Sequence, residues 1–157
     1  MQITKDWLVG FVDGEGCFFV GINKNPTMKL GYQVLPEFRI IQHKRDVKLL
    51  FSIRTFFGHG FVVTNKGKGS DITEYRLRKL EHLKNVLIPF FESNELLTSK
   101  KFNFYIFRDI VNKMCDGGHL TEEGLNEIRH LKARMNRGNQ MKIESELNGD
   151  IKRVPPF

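Results

Sequence analysis

The stretch that most constrains this chain is Asp6-Trp7-Leu8-Val9-Gly10-Phe11-Val12-Asp13-Gly14-Glu15-Gly16. From Leu8 to Asp13 it suits a short, mostly apolar helix, which Gly14 and Gly16 are expected to end beside the carboxylate of Glu15. Gly10 and Gly14 share one helix face, where the missing side chains let a second backbone come close. If that second backbone is a copy of the same helix, two-fold symmetry makes the contact self-complementary and gathers two Glu15 carboxylates near the axis. Paired acids suit a shared divalent cation. A buried helix with a glycine cap and an incidental exposed glutamate fits the same residues, so the rest of the chain has to decide.

The rest of the chain supplies a resemblance. Leu8, Gly10, Phe11, Val12, Asp13, Gly14, Glu15 and Gly16 match in residue class, and the stretch resembles the signature of the LAGLIDADG homing endonucleases and related intron maturases. The resemblance continues in order through Cys17 and Phe18, Gln42-His43-Lys44, Phe57-Gly58-His59-Gly60, Leu97 to Lys101 and His119 to Leu125. It covers residues 6 to 138. It implies an α+β fold of αββαββα type, in which helices pack on one face of a saddle-shaped antiparallel sheet. Residues 1–138 are expected to form a single endonuclease domain, and 139–157 a polar tail.

Composition agrees with that class. A hydrophobic share of 40% with fourteen Phe argues for a real core, and a formal charge of +7 with a pI near 9.5 favours a polyanionic partner. No apolar run reaches the roughly 20 residues that span a bilayer, so a soluble protein with no membrane partner is expected. Cys17 and Cys115 are far apart and form no Cys-x-x-Cys pair, as expected of reduced core thiols inside a cell.

In chain order, Phe18 to Lys24 alternates like a strand, with Phe18, Val20 and Ile22 inward, and the pattern resumes from Tyr32 to Ile41 with Pro36 suited to an edge. Asp46 is expected to cap a helix with a stripe of Val47, Leu50, Phe51 and Phe57, closed by Gly58. Strands near 60–65 and 72–78 form a second pair, with Tyr75 and Leu77 inward. A helix through Leu80, Leu83 and Leu87 is expected to yield near Pro89. Ser99 is expected to cap another, presenting Phe102, Ile106 and Ile110 to the core, and Thr121 a last one with Leu125, Ile128, Leu131 and Met135.

With helices on one sheet face, the other is free to carry Asn23, Gln33, Glu37, Arg39, Asn65, Arg76 and Arg78. Such a mixture can read bases in the major groove: Arg pairs with guanine, Asn or Gln with adenine, and Glu with the cytosine amino group. Lys29, Lys66 and Lys68 in the loops suit phosphates. An ordinary solvated strand face is the alternative for each single residue. The resemblance decides for DNA, because the family docks this sheet on it.

Phosphodiester hydrolysis needs an activated water, charge stabilisation and help for the leaving oxygen, all of which hydrated Mg²⁺ held by carboxylates supplies. By resemblance Glu15, the second acid of the signature, is the metal ligand, with the Gly14 carbonyl assisting and Asp13 structural. Mn²⁺ or Ca²⁺ could occupy the same place, Ca²⁺ without supporting cleavage. Gln42 is expected to orient the attacking water, and Lys100, or alternatively Lys101, to support transition-state charge. The basic residue that some relatives carry after Gln42 is Asp46 here, which leaves Lys44 or Arg45.

The chain shows one signature, and the resemblance implies that members with one form homodimers, here expected to be built on Leu8, Gly10, Phe11 and Gly14. It would cut a long, roughly palindromic site across the minor groove to leave short 3′ overhangs. Residues 119–157 resemble the carboxyl-terminal part of two-repeat members, so half of a larger enzyme stays open. An intron RNA maturase is the alternative function, and a mitochondrial or chloroplast location follows from the family.

Overall fold

A computed structural model describes residues 1–64 and 71–135. Helix α1 (Lys5–Glu15) begins at Thr4, whose side chain accepts the Trp7 N–H at 3.3 Å. It starts earlier and ends later than the apolar pattern implied. Gly14 stays helical, and Gly16 closes the helix in an extended conformation (φ −75°, ψ 152°), not as a left-handed glycine cap. The reason is that Gly16 is also the first residue of β1 (Gly16–Lys24), so helix passes straight into strand. A Cβ at Gly16 would stand 2.6 Å from Val12 Cγ1, which is why no larger residue fits that corner.

Strand β2 (Tyr32–His43) pairs with β1 in unbroken antiparallel register from Gly16 opposite Ile40 to Lys24 opposite Tyr32. After α2 (Val47–Phe57), β3 (Phe61–Thr64) and β4 (Ile72–Leu77) complete a sheet of order β1-β2-β4-β3. The ladder between β2 and β4 begins only at Phe38, so β2 is an edge strand beside Pro36, as a proline requires. Helix α3 (Leu80–His82), a π turn (Leu83–Leu87) and α4 (Ile88–Ser93) follow as one run, then α5 (Lys100–Cys115) and α6 (Glu122–Ala133).

The inward sheet face meets the helices through an aromatic cluster. Phe18 lies with its ring centroid 5.2 Å from Phe38, 5.6 Å from Phe91, and 5.4 Å from both Phe104 and Phe107. Leu8 and Val12 of α1, Leu50 and Ile53 of α2, and Tyr75 and Leu77 of β4 are buried in the same core. The result is the α+β arrangement expected from the sequence.

Several local expectations are corrected. The chain does not yield at Pro89: the π turn widens the backbone just before it, and the helical run continues with Pro89 in the first turn of α4. Phe51 and Phe102 are 49% and 43% exposed, and the buried stripes use Leu50, Ile53 and Phe57 on α2 and Phe104, Ile106, Phe107 and Ile110 on α5. Asp46 and Ser99 precede their helices without a capping side-chain bond. For α5 the nearby Thr98 hydroxyl accepts the Lys100 N–H instead, at 3.2 Å. Cys115 is exposed, not a core thiol. Gly58 in left-handed conformation (φ 72°) and the Thr121 cap on Gly124 N–H stand as expected. Among the described residues no helix is long and apolar enough to cross a membrane.

Tyr75 donates its hydroxyl to the His59 carbonyl at 2.8 Å, and burial raises its pKa far above the ordinary phenol value. Because the folded state disfavours the phenolate, stability is full below the unfolded pKa of about 10 and falls as pH rises beyond it. Tyr75→Phe is expected to lower stability by about 1 kcal/mol at neutral pH and to flatten that alkaline loss, read from urea midpoints across pH. An unchanged alkaline slope would show that another group causes it.

Candidate active site and nucleic-acid interface

Glu15 stands exposed at the end of α1. Gln42, expected just after β2, lies within its last turns of the ladder, and its Nε2 donates to Glu15 Oε2 at 3.2 Å. Lys100 opens α5, half-buried, and its Nζ donates to the Val12 carbonyl at 2.9 Å. Burial lowers the Lys100 pKa below the ordinary lysine value, while Cys17, Asp13 and Glu15 oppose that shift. Thus α1, β2 and α5 bring the three expected catalytic residues to one corner.

Asp13 explains how that corner is held. Its carboxylate accepts the Leu97 N–H at 2.7 Å, the Thr98 N–H at 3.2 Å and the Thr98 hydroxyl at 2.7 Å. It ties α1 to the segment that leads into α5, so both oxygens are occupied and Asp13 acts structurally. The other basic candidates face elsewhere: Lys44 pairs with Asp71, Arg45 lies 3.5 Å from Asp46, and Lys101 lies 3.7 Å from Glu95.

What could hold a metal follows from the donors. Beside Glu15 stands the Gly14 carbonyl, in the last helical turn where carbonyls lack intrahelical partners. Among the described residues no group of three His, Cys, Asp or Glu could enclose an ion. An all-oxygen, one-carboxylate set fits Mg²⁺, which keeps waters and takes substrate phosphate oxygens to complete its shell.

The outer face of α1 carries Trp7, Gly10, Phe11 and Gly14, one above another at helical spacing. Trp7 and Phe11 stack with centroids 4.7 Å apart. A Cβ on Gly10 or Gly14 would meet nothing within 4 Å among the described residues. Leu8, expected on this face, is fully buried on the opposite side. Trp7 was missed, although its spacing from Gly10 and Phe11 marks it.

On the outward sheet face the structure gathers Asn23, Gln33, Glu37, Arg39, Arg76 and, just beyond β4, Arg78. Gln33 accepts a bond from Asn25 at 3.2 Å, and Lys29 is exposed in the loop between β1 and β2. Glu37 shares this face but is only 6% exposed. Its carboxylate pairs with Arg78 and lies 3.9 Å from Arg39 and 4.0 Å from Arg76. Arg76 is in turn held by Glu74 at 2.6 Å. A cavity of about 350 Å³ opens here between Phe19, Leu35, Glu37, Arg39 and Arg78. Asn65, Lys66 and Lys68 lie outside the described residues. The face also has apolar members: alternation along the sequence places Phe19 and Leu35 outward as observed, while Ile41 and Phe61 were missed; such groups suit thymine methyls.

An acid-bearing helix that runs into the edge strand of an antiparallel sheet, with a cationic outward face, defines an α+β class of single-sheet proteins. The chain belongs to the LAGLIDADG endonuclease family, whose model matches residues 8–111. It is 35% identical over 140 residues to probable intron-encoded endonuclease 3 of Neurospora crassa, spanning 89% of this chain but 26% of that protein. The crystal structure of the homing endonuclease I-TnaI is 49% identical with a TM-score of 0.82, and the match covers 95% of this chain and 99% of that one. I-SmaMI, bound to an uncleaved DNA target in the presence of calcium ions, is 37% identical with a TM-score of 0.81, covering 86% of this chain and 45% of that one.

Proposed function

We propose that this chain is a site-specific DNA homing endonuclease that acts as a homodimer, with residues 1–138 as its working unit. It hydrolyses both strands of a long, roughly palindromic duplex in the presence of a divalent metal and leaves short 3′ overhangs. The observation that carries this reading is the convergence of Glu15, Gln42 and Lys100 at the end of α1, beside an outward sheet face bearing Arg39, Arg76 and Arg78.

The residues divide the work as follows. Glu15 and the Gly14 carbonyl hold the metal, with Mg²⁺ the proposed native ion. When bound, the ion supplies Lewis-acid charge stabilisation and a water of lowered pKa. Gln42, already bonded to Glu15, orients the attacking water. Lys100 is drawn half out of solvent, where its positive charge acts on the scissile phosphate with less screening. Asn23, Gln33, Arg39, Arg76 and Arg78 face the bases, and Lys29, Lys66 and Lys68 the phosphates. Calcium accompanies an uncleaved target in the I-SmaMI structure, in keeping with Ca²⁺ occupying the site without cleavage. The Neurospora crassa relative is named an intron-encoded endonuclease, which favours duplex DNA over intron RNA, and a mitochondrial or chloroplast location goes with this reading.

Lys100→Met is expected to slow cleavage by about 10²–10³-fold in single-turnover assays while duplex affinity stays within a few-fold. An unchanged rate removes Lys100 from the chemistry. The whole reading is tested by light scattering with and without DNA, together with selection of cut duplexes from a randomised library in Mg²⁺. A dimer that enriches pseudo-palindromic sites with 3′ overhangs is the expected result. A monomer that binds but never cuts would overturn it.

A further inference from the structure

Glu37 is the one acid of the outward face placed among three arginines. A glutamate that reads cytosine must offer a free oxygen to the groove. Here one oxygen pairs with Arg78, the other faces Arg39 and Arg76, and the side chain is 8% exposed. Burying a carboxylate is costly unless cations surround it, which these three do. Arg39 and Arg76 also stand directly opposite each other across β2 and β4, where like charges repel. Glu37 is the group that relieves that repulsion, together with Glu74 on Arg76.

The arginines are further fixed from the side. Arg39 lies over the Phe19 ring at 4.8 Å and Arg78 over Phe61 at 5.6 Å. Among the described residues Arg39 Nε has no hydrogen-bond partner although it is buried, so part of this guanidinium's donor capacity is unspent. Same-face neighbours along a strand stand about 7 Å apart, close to two base-pair steps.

We infer that Glu37 is a positioning residue for sequence recognition: it touches no base, and it holds Arg39, Arg76 and Arg78 as a pre-set array of guanidinium groups for guanine edges on neighbouring base pairs. This rests on the DNA-binding reading above. An arginine ordered before binding loses less rotamer freedom on contact, so its bidentate preference for guanine is expressed more fully. Freed of Glu37, the same arginines can swing to phosphates, where they bind without reading sequence.

The test is Glu37→Gln with two readouts. In the free protein, wild type is expected to show distinct, slowly exchanging Nε–H resonances for these arginines, which broaden in the variant. On DNA, discrimination between the preferred site and singly substituted sites is expected to fall about 10-fold at each of two or three neighbouring pairs. Glu37→Asp, which keeps the charge, restores part of the selectivity and serves if the glutamine variant does not fold. Loss confined to one cytosine-containing pair, or an unaltered profile, would overturn the positioning role. Sharp arginine resonances in a wild type that selects no duplex sequence would instead sink the DNA reading and the inference with it. Equally broad resonances in both proteins, with selective binding intact, would sink the inference alone.

Discussion

Replacing Glu15 with glutamine is expected to give a protein that folds, assembles and binds duplex as the wild type does but does not cut it. The side chain is exposed at the end of α1, so folding stability should move by no more than about 0.5 kcal/mol. Glutamine keeps the length of the side chain and can still bond Gln42. What it removes is, among the described residues, the one carboxylate beside the Gly14 carbonyl that is free to meet a hard cation, because Asp13 is spent on Leu97 and Thr98. Two amides and a carbonyl hold Mg²⁺ far more weakly than a set containing an anion. Metal-dependent cleavage should therefore fall by at least about 10³-fold, whereas metal-free duplex affinity should hold or tighten slightly as one acid is lost from each active site. Single-turnover cleavage alongside gel-shift binding without metal separates the two. Removing divalent metal from the wild type with a chelator should give the same phenotype. Wild-type cutting by Glu15→Gln would take Glu15 out of the mechanism.

The sequence made the signature helix legible because Gly10 and Gly14 share a face and the acid lies just past it; the strands showed through alternation, as at Phe18, Val20, Phe38 and Tyr75. What it hid were features set by neighbours distant along the chain. Glu37 sits in an ordinary outward position of β2, and only the pairing of β2 with β4 surrounds it with arginines. Leu8 matches the signature as readily as Gly10 does, yet the packing of α1 on the sheet turns Leu8 into the core and Gly10 out. Pro89 carries a strong local stop signal that a π turn absorbs. The polar corner was visible only through the resemblance, since nothing local in Gln42 or Lys100 says that both approach α1. The Asp13 clamp on Leu97 and Thr98 is what draws the start of α5 there.

Gly10→Leu is expected to stabilise the single chain and dissolve the dimer. Within one chain the new side chain has room, since a Cβ at Gly10 meets nothing within 4 Å. Leucine also favours the helical state over glycine by somewhat less than about 1 kcal/mol, so α1 should gain stability in isolation. Across a two-fold axis the same change acts twice. Two leucines would stand where two backbones are proposed to meet, beside the stacked Trp7 and Phe11 that flank the gap. Overpacking costs about 1–3 kcal/mol for each copy, which together raise the dimer dissociation constant by roughly 30-fold to 10⁴-fold. Light scattering over a dilution series should then report monomer at concentrations where the wild type is expected to be dimer. Duplex cleavage should be lost even though Glu15, Gln42 and Lys100 are untouched, because the second copy's acid no longer reaches the axis. A higher unfolding midpoint paired with a weaker dimer is a combination that a misfolded variant cannot produce. A Gly10→Leu protein that stays dimeric and fully active would place the interface away from this helix face and leave the open strip at Trp7, Gly10, Phe11 and Gly14 without its proposed partner.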